Sequence, residues 1–205
     1  MNTQSQLQPA SESALDICNA ALSKIGEAPL DALIPNASTA SQLCMLHYHP
    51  TRREVLCMAR WTFATSSVVL DSPSANAPES LTPWQFSLPE NCLRVLEVEC
   101  KRWALRGRHL YTSGCPVALS YILDLEDALT FDPLFNEALA TRLAEKLALP
   151  LTSNQSLRQY LNQTFFKQIL PQAATVNAVQ SHSNDAHPLQ EFLRKIRTSK
   201  PPSEE

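Results

Sequence analysis

The chain has 205 residues, a hydrophobic content of 44%, a charged content of 18% and a formal net charge of −3. A chain of this length buries a full core without disulfides or metals, and its weak negative charge argues against a protein that binds along phosphate backbones. With only three glycines it contains no Gly-rich phosphate loop, which excludes a nucleotide-hydrolysing motor of the P-loop type.

The N-terminus and the cysteines indicate the compartment. Residues 1–12 are polar, are expected to be disordered, and show no signal-peptide pattern. No apolar run approaches the roughly 20 residues of a membrane span. The six cysteines form no CxxC pair. We therefore expect a protein made in the cytoplasm, with reduced and buried thiols and no membrane partner.

The first predicted helix spans about 14–25. Gly26 follows it and is the residue type that most often ends a helix. Its apolar residues recur at spacings of three and four, which is the helical period: Leu15, Cys18, Leu22 and Ile25.

The second predicted helix begins after a cap at Ser38 or Thr39 and runs to about 58–60. Pro50 lacks a backbone donor, so we expect it to kink this helix. The residues near its apolar face are Ala40, Cys44, Tyr48, Val55 and Ala59.

The next segment, residues 61–125, has the pattern of a small antiparallel sheet. Short β-branched or alternating runs predict strands in "FATSSVVL", "WQFSLP", "CLRVLEVEC" and "VALSYILDL". The stretch "RWALRGRHLYTS" predicts a hairpin that turns at Gly107.

Helical character returns after this segment. Asp132 is a good N-cap and Pro133 a good first helical residue, and Pro150 is expected to stop the third helix. Its stripe consists of Phe135, Leu139, Leu143 and Leu147. Thr152 and Gln155 form a capping-box pattern that predicts a fourth helix. Pro171 is expected to bend it, and the alanine-rich "PQAATVNAVQ" can prolong it.

Residues 181–205 combine a polar tether with an amphipathic segment. Basic residues surround a stripe formed by Leu189, Phe192, Leu193 and Ile196. The segment is either a docking arm or a helix that folds back onto the body. The predicted architecture is α+β: a four-helix bundle from 13–60 and 132–180, an inserted β region at 61–131, and this C-terminal arm.

Two sets of residues could hold a metal or a nucleophile. Cys44, His47, His49 and Cys57 are candidate zinc ligands, but His47 and His49 point about 200° apart on a helix, which favours a core cysteine and surface histidines. Cys115 with His109 is a candidate nucleophile pair for which no orienting third group is identifiable.

Two further sets carry charge. Asp124, Glu126 and Asp127 could do acid–base work, although their place between a strand and a helix favours a solvated turn. Arginines beside aromatic residues can bind single-stranded nucleic acid by stacking, and the set here is Arg52, Arg53, Arg60, Trp61 and Phe63. Because the two aromatic residues alternate with threonines, we interpret them as core packing at a helix–sheet joint. Arg52 is expected to pair with a carboxylate of the same chain or of a neighbour.

The order of these segments resembles the tail tubular protein A family, the head-to-tail adaptor (connector) proteins of tailed phages. The likeness covers roughly residues 14–180 and rests on an ordered set with matching gaps. The set is "ALDICNAALSKIG", Ala40-x3-Cys44-x3-Tyr48-x3-Arg52-x2-Val55-Leu56-x4-Trp61-x-Phe63-Ala64, "LPENCLRVLEV", "GRHLYT" and "YILDLEDALTFDPLFNEALATRLAEKLALPLT".

The resemblance implies a structural protein of the virion neck, without enzyme activity, metal or cofactor. It implies a ring of twelve subunits below the portal that continues the channel for double-stranded DNA and presents a platform for the tail nozzle protein. We expect Leu189, Phe192, Leu193 and Ile196 to contact the portal, and Arg52 and Arg53 to form ion pairs between subunits. The alternatives are another neck or tail-completion protein, or a small hydrolase that uses Cys115 and His109.

Overall fold

The computed structural model describes residues 12–74 and 84–180, and the protein is of the mixed α+β class. Its chain divides into two compact units. The described residues of the helical unit are 12–63 and 125–179, and those of the β unit are 64–74, 84–124 and Gln180.

The helical unit contains five α-helical segments among the described residues, apart from Gln180 at the end of the last one. They are α1 (Glu12–Lys24), α2 (Thr39–Met58), α3 (Pro133–Thr152), α4 (Gln155–Thr164) and α5 (Leu170–Gln180). A π-helical stretch at Phe165–Ile169 joins α4 to α5 without a break in helical backbone. The helices α1, α2 and α4 all pack against α3, whose apolar stripe is fully buried.

The first helix ends as predicted. Gly26 takes a left-handed conformation at φ +79°. The Glu27 N–H donates to the Leu22 carbonyl at 3.0 Å, and the Gly26 N–H donates to the Ser23 carbonyl at 3.2 Å. This pair of hydrogen bonds is the Schellman arrangement, which satisfies carbonyls at the end of α1.

The cap of α2 is Ser38, whose side chain accepts a hydrogen bond from the Ser41 N–H at 3.1 Å. The helix ends at Met58, as predicted, and Pro50 lies inside it.

The start of α3 is confirmed, but two predictions about its end are wrong. Asp132 accepts a hydrogen bond from the backbone of the second helical residue at 2.8 Å, and Pro133 follows it. Pro150 does not stop α3, which continues to Thr152. Pro150 removes one donor from the helical ladder two residues before the end of α3. The Thr152 hydroxyl adds a hydrogen bond to the same last turn by donating to the Ala148 carbonyl at 2.6 Å. Thr152 therefore belongs to α3, and Asn154 caps α4 instead.

The β unit contains two three-stranded antiparallel sheets where one sheet was predicted. One has the order β1 (Thr65–Leu70), β6 (Val117–Leu123), β3 (Cys92–Val98), and the other the order β2 (Trp84–Ser87), β5 (His109–Thr112), β4 (Trp103–Arg106). The predicted hairpin is β4–β5, with Gly107 at φ +58° in its turn. Residues of both sheets share one buried cluster, which includes Phe86 and Leu110 on one side and Val117 and Leu119 on the other.

Candidate interaction surfaces

The two adjacent arginines of α2 lie on different faces of the helix. Arg52 follows Cys44 and Tyr48 at spacings of four, so it lies on the core face, and its side chain is fully buried. Its Nη2 lies 3.4 Å from Oε1 of Glu126. Arg53 is half exposed, with its Nη2 4.0 Å from the same oxygen. An intrachain partner for Arg52 therefore exists, while pairing of either arginine between subunits stays a prediction.

Charged side chains of α2, α3 and α4 form a network that we call the Glu54 network. Glu54 accepts hydrogen bonds from Arg142 Nε at 3.0 Å and Nη2 at 2.6 Å, and from Lys146 Nζ. Arg142 Nη1 donates to Glu145 Oε2 at 2.7 Å. Arg158 of α4 donates to Glu145 Oε1 at 3.2 Å. Three cations and two carboxylates thus tie three helices together.

The electrostatics of the network keep the Glu54 carboxylate charged. Burial alone would raise the pKa of Glu54, but the hydrogen bonds and charges of Lys146 and Arg142 outweigh burial and lower the pKa. Partial burial, with the charge of Lys146, also lowers the pKa of nearby His47 and favours its neutral form.

An amide-rich face of α4 lies beside the Glu54 network. Its glutamines recur at i, i+4 and i+8, which places them on one side of the helix. A depression of about 490 Å³ is lined by Glu145, Gln155, Arg158, Gln159, Asn162 and Gln163. Tyr160 is 65% exposed on the same helix, and Phe166 is 44% exposed just beyond it. This surface offers both hydrogen-bond donors and acceptors, which suits contact with another protein's backbone.

The Trp-x-Phe pair lies in the core of the helical unit, as interpreted from the sequence. Trp61 is fully buried, and its Nε1 donates to the Val55 carbonyl at 2.9 Å. The rings of Phe63 and Phe135 lie 6.0 and 5.0 Å from its ring. Phe63 sits in a 3₁₀ turn (Thr62–Ala64) instead of the predicted strand. A buried indole cannot stack on a nucleic-acid base, so this pair is structural.

The four candidate zinc ligands are dispersed along α2. Cys44 is fully buried and its thiol shares a hydrogen bond with Cys18; this bond and burial raise the pKa of Cys18. His47 is partly buried and His49 is exposed. Cys57 lies about 20 Å further along the helix than Cys44, at about 1.5 Å per residue. Within the described ranges, no group of three or more His, Cys, Asp or Glu is placed to hold a metal ion.

The structure does not bring Cys115 and His109 together. His109 begins β5 beside its turn, and Cys115 lies beyond Thr112, the other end of that strand, after about 10 Å of strand rise. The Cys115 thiol instead donates to the Asp71 carbonyl at 3.5 Å. Burial and the charge of Asp71 raise the pKa of Cys115, which disfavours the nucleophilic thiolate.

The three candidate carboxylates have structural positions. The backbone N–H of Asp124 donates to the Asn91 carbonyl at 2.7 Å. Asp127 caps a 3₁₀ turn (Ala128–Thr130) by accepting from the Leu129 N–H at 3.0 Å. Glu126 contacts the arginines of α2. These placements fit the interpretation as a turn.

The sequence analysis did not predict the Glu54 network. It also predicted portal contacts for residues that the structure does not describe. The available signal was the grouping of Arg142, Glu145 and Lys146 in a helix whose other residues are mostly apolar. The predicted portal-contact residues lie outside the described part of the chain: Leu189, Phe192, Leu193 and Ile196.

Comparison of the sequence with protein-family models and with curated proteins gives no match in either case. Over the described residues, no helix combines the length and the hydrophobicity that crossing a bilayer requires. The fold thus defines an α+β protein whose candidate surfaces are the Glu54 network and the amide-rich face of α4.

Proposed function

We propose that this chain is a structural head-to-tail adaptor of a tailed phage, similar to the tail tubular protein A family. It forms a ring below the portal, continues the DNA channel and gives the nozzle protein its attachment platform. The observation that carries the proposal is the joining of distant segments. The helices α1 and α2 pack with α3 in one unit, although residues 64–124 of the β unit separate them from α3 in the sequence.

The helical unit acts in this proposal as a four-helix bundle made of α1, α2, α3 and the continuous α4–α5 segment. Its support is the central place of α3, where Phe135, Leu139, Leu143 and Leu147 are all fully buried. Helices joined through a shared central helix make a rigid block, which suits a subunit that packs side by side in a ring.

The ring contacts are heterologous, because each subunit offers different faces to its two neighbours. The amide-rich face of α4 and the exposed Arg53 are the surfaces we assign to them. Twelve copies match the family that the sequence resembles. DNA passes the channel without specific binding. The net charge of −3 supports this, because a protein with a small negative charge makes few contacts with phosphates that would slow the DNA.

The portal contact is assigned to the C-terminal arm, residues 181–205, and the protein catalyses no reaction in this role. The basis for the arm is its apolar stripe behind a polar tether.

The test uses the purified full chain, a variant truncated after residue 182, and the portal ring of the same phage. Co-sedimentation is expected to place the full chain with the portal and the truncated chain in the supernatant. Full binding by the truncated chain would remove the assignment to the arm. Absence of binding by the full chain, in a preparation shown to be folded by circular dichroism, would contradict the adaptor role.

A further inference from the structure

Strand β4 forms an edge of its sheet. In the part of the chain that the structure describes, β4 pairs with β5 on one side and with no strand on the other. The opposite edge of the sheet, β2, differs because the Ser74 N–H donates to the Gln85 carbonyl at 2.7 Å. An edge strand presents unsatisfied backbone donors and acceptors that can pair with another chain.

The backbone groups that β4 directs outward follow from its hairpin. The turn of two residues places Arg106 opposite His109, and residues that flank such a turn exchange both hydrogen bonds. These bonded pairs alternate along the ladder. The Ser113 N–H donates to the Arg102 carbonyl at 3.0 Å, which continues the same alternation. The residues between these pairs therefore point their N–H and C=O groups away from β5.

The outward residues are Trp103 and Leu105, and their side chains form an apolar rim. They are 45% and 44% exposed. Leu105 lies in one row with Leu110 and Phe86, which are buried in the core between the two sheets. The buried face of the sheet therefore continues to β4 and ends there in contact with solvent. A fourth strand would extend this apolar layer.

The charges around β4 select the partner. Lys101, Arg102 and Arg106 are exposed, and residues 101–113 contain no Asp or Glu. The Arg106 guanidinium carbon lies 5.6 Å from the centre of the Tyr111 ring, on the face opposite to Trp103. Positive charge on an edge repels the same edge of another copy. It attracts a strand that carries carboxylates on the arginine face.

We propose that the β4 edge binds an extended acidic segment of a partner protein, in which apolar residues alternate with Asp or Glu. The segment adds to the sheet as a fourth strand. Its backbone pairs with Trp103 and Leu105, its apolar side chains cover these two residues, and its carboxylates face Arg102 and Arg106. This mode of recognition takes affinity from the main chain and specificity from alternate side chains. It is independent of the adaptor role.

The test uses the full chain and three capped eight-residue peptides. One alternates valine with glutamate, one alternates valine with lysine, and the third is the glutamate peptide with alternate backbone nitrogens methylated. Calorimetry is expected to detect the glutamate peptide and to find the other two at least about tenfold weaker. Amide hydrogen exchange is expected to slow at Trp103 and Leu105 when the glutamate peptide binds.

Variants separate the backbone from the charge contribution. Leu105→Pro removes an outward donor and leaves the β4–β5 ladder intact. Arg106→Glu reverses a charge on the edge, and Lys167→Glu is its control on the helical unit. We expect Leu105→Pro and Arg106→Glu to lower the affinity for the glutamate peptide at least about tenfold. We expect Lys167→Glu to bind the peptide as wild type does.

Three results of the peptide experiments would overturn the proposal. They are equal binding of the glutamate and lysine peptides, wild-type affinity in Arg106→Glu, and absence of exchange protection at Trp103 in a saturated sample. A concentration-dependent dimer that the glutamate peptide cannot dissociate would assign the edge to a second copy and would also overturn it.

Discussion

Replacement of Glu54 by glutamine tests whether the Glu54 network holds the helical unit together. The change keeps the shape of the side chain and removes its charge. Glu54 receives two hydrogen bonds from Arg142 and one from Lys146, and the side chains are 28%, 15% and 24% exposed. Hydrogen bonds to charged groups contribute about 1.5–3 kcal/mol each. Glutamine keeps one acceptor, and partial exposure screens the rest, so we expect a loss of about 2 kcal/mol.

Urea denaturation at pH 7 measures this loss. With a slope of roughly 2 kcal/mol per molar urea, the midpoint should fall by about 1 M. Glu137→Gln is the matched control, because Glu137 is 49% exposed and, among the described residues, forms one ion pair, with Lys24, and accepts a long hydrogen bond from the Thr141 hydroxyl at 3.5 Å. That control should lose less than about 1 kcal/mol. Equal losses in the two variants would refute the structural role of the network.

The pH dependence gives a second readout of the same variant. The pKa of Glu54 is lower in the folded protein than its ordinary value of 4.5. The stabilisation is therefore fully present above pH 4.5 and is lost as the pH falls through the folded pKa. The difference in unfolding free energy between wild type and Glu54→Gln should shrink below about pH 4.5. A difference that stays constant down to pH 3 would mean that the charge contributes nothing.

Three further substitutions follow from buried or capping groups. Tyr48→Phe should raise the free energy of unfolding by about 1 kcal/mol, since the buried hydroxyl has no hydrogen-bond partner among the described residues. Burial raises the pKa of Tyr48 to about 12, so wild type, unlike the variant, should lose stability as the pH rises from 10 towards 12. The surface substitution Tyr160→Phe is the control, and urea titration should show that it changes neither the free energy of unfolding nor its pH dependence. Trp61→Phe should lower the free energy of unfolding by about 1–3 kcal/mol, because it removes the indole N–H that donates to the buried Val55 carbonyl. A variant that melts at the wild-type temperature would contradict this. Asp132→Ala should cost about 1 kcal/mol through loss of the cap on the Leu134 N–H, with rescue by Asn as the check and failure of rescue as the contrary result.

Local signals in the sequence were sufficient for most secondary structure. The Gly26 cap, the Asp132–Pro133 start of α3 and the Gly107 hairpin depend on residue types whose backbone preferences are strong. Pro150 was misjudged because its effect depends on the partners of the surrounding backbone groups, such as the Thr152 hydroxyl. The division into two sheets was missed because strand periodicity identifies strands and carries no information about which strands pair.

The candidate surfaces were harder to predict because they depend on contacts between distant positions. Burial of Arg52 could be inferred from its spacing of four residues from Tyr48 within one helix. The hydrogen bonds that Glu54 accepts from Arg142 and Lys146 join positions 88 and 92 residues apart. A single sequence does not show which positions at such separations lie next to each other. The exposed rim of β4 likewise depends on the order β2-β5-β4, which only the assembled sheet defines.

The central claim is that the chain is a ring-forming adaptor, and the number of copies on a portal tests it most directly. Native mass spectrometry of the purified protein mixed with the portal ring of the same phage measures that number. The adaptor account predicts a single complex that carries twelve copies of this chain. A folded chain that remains monomeric at every concentration in the presence of the portal would contradict it.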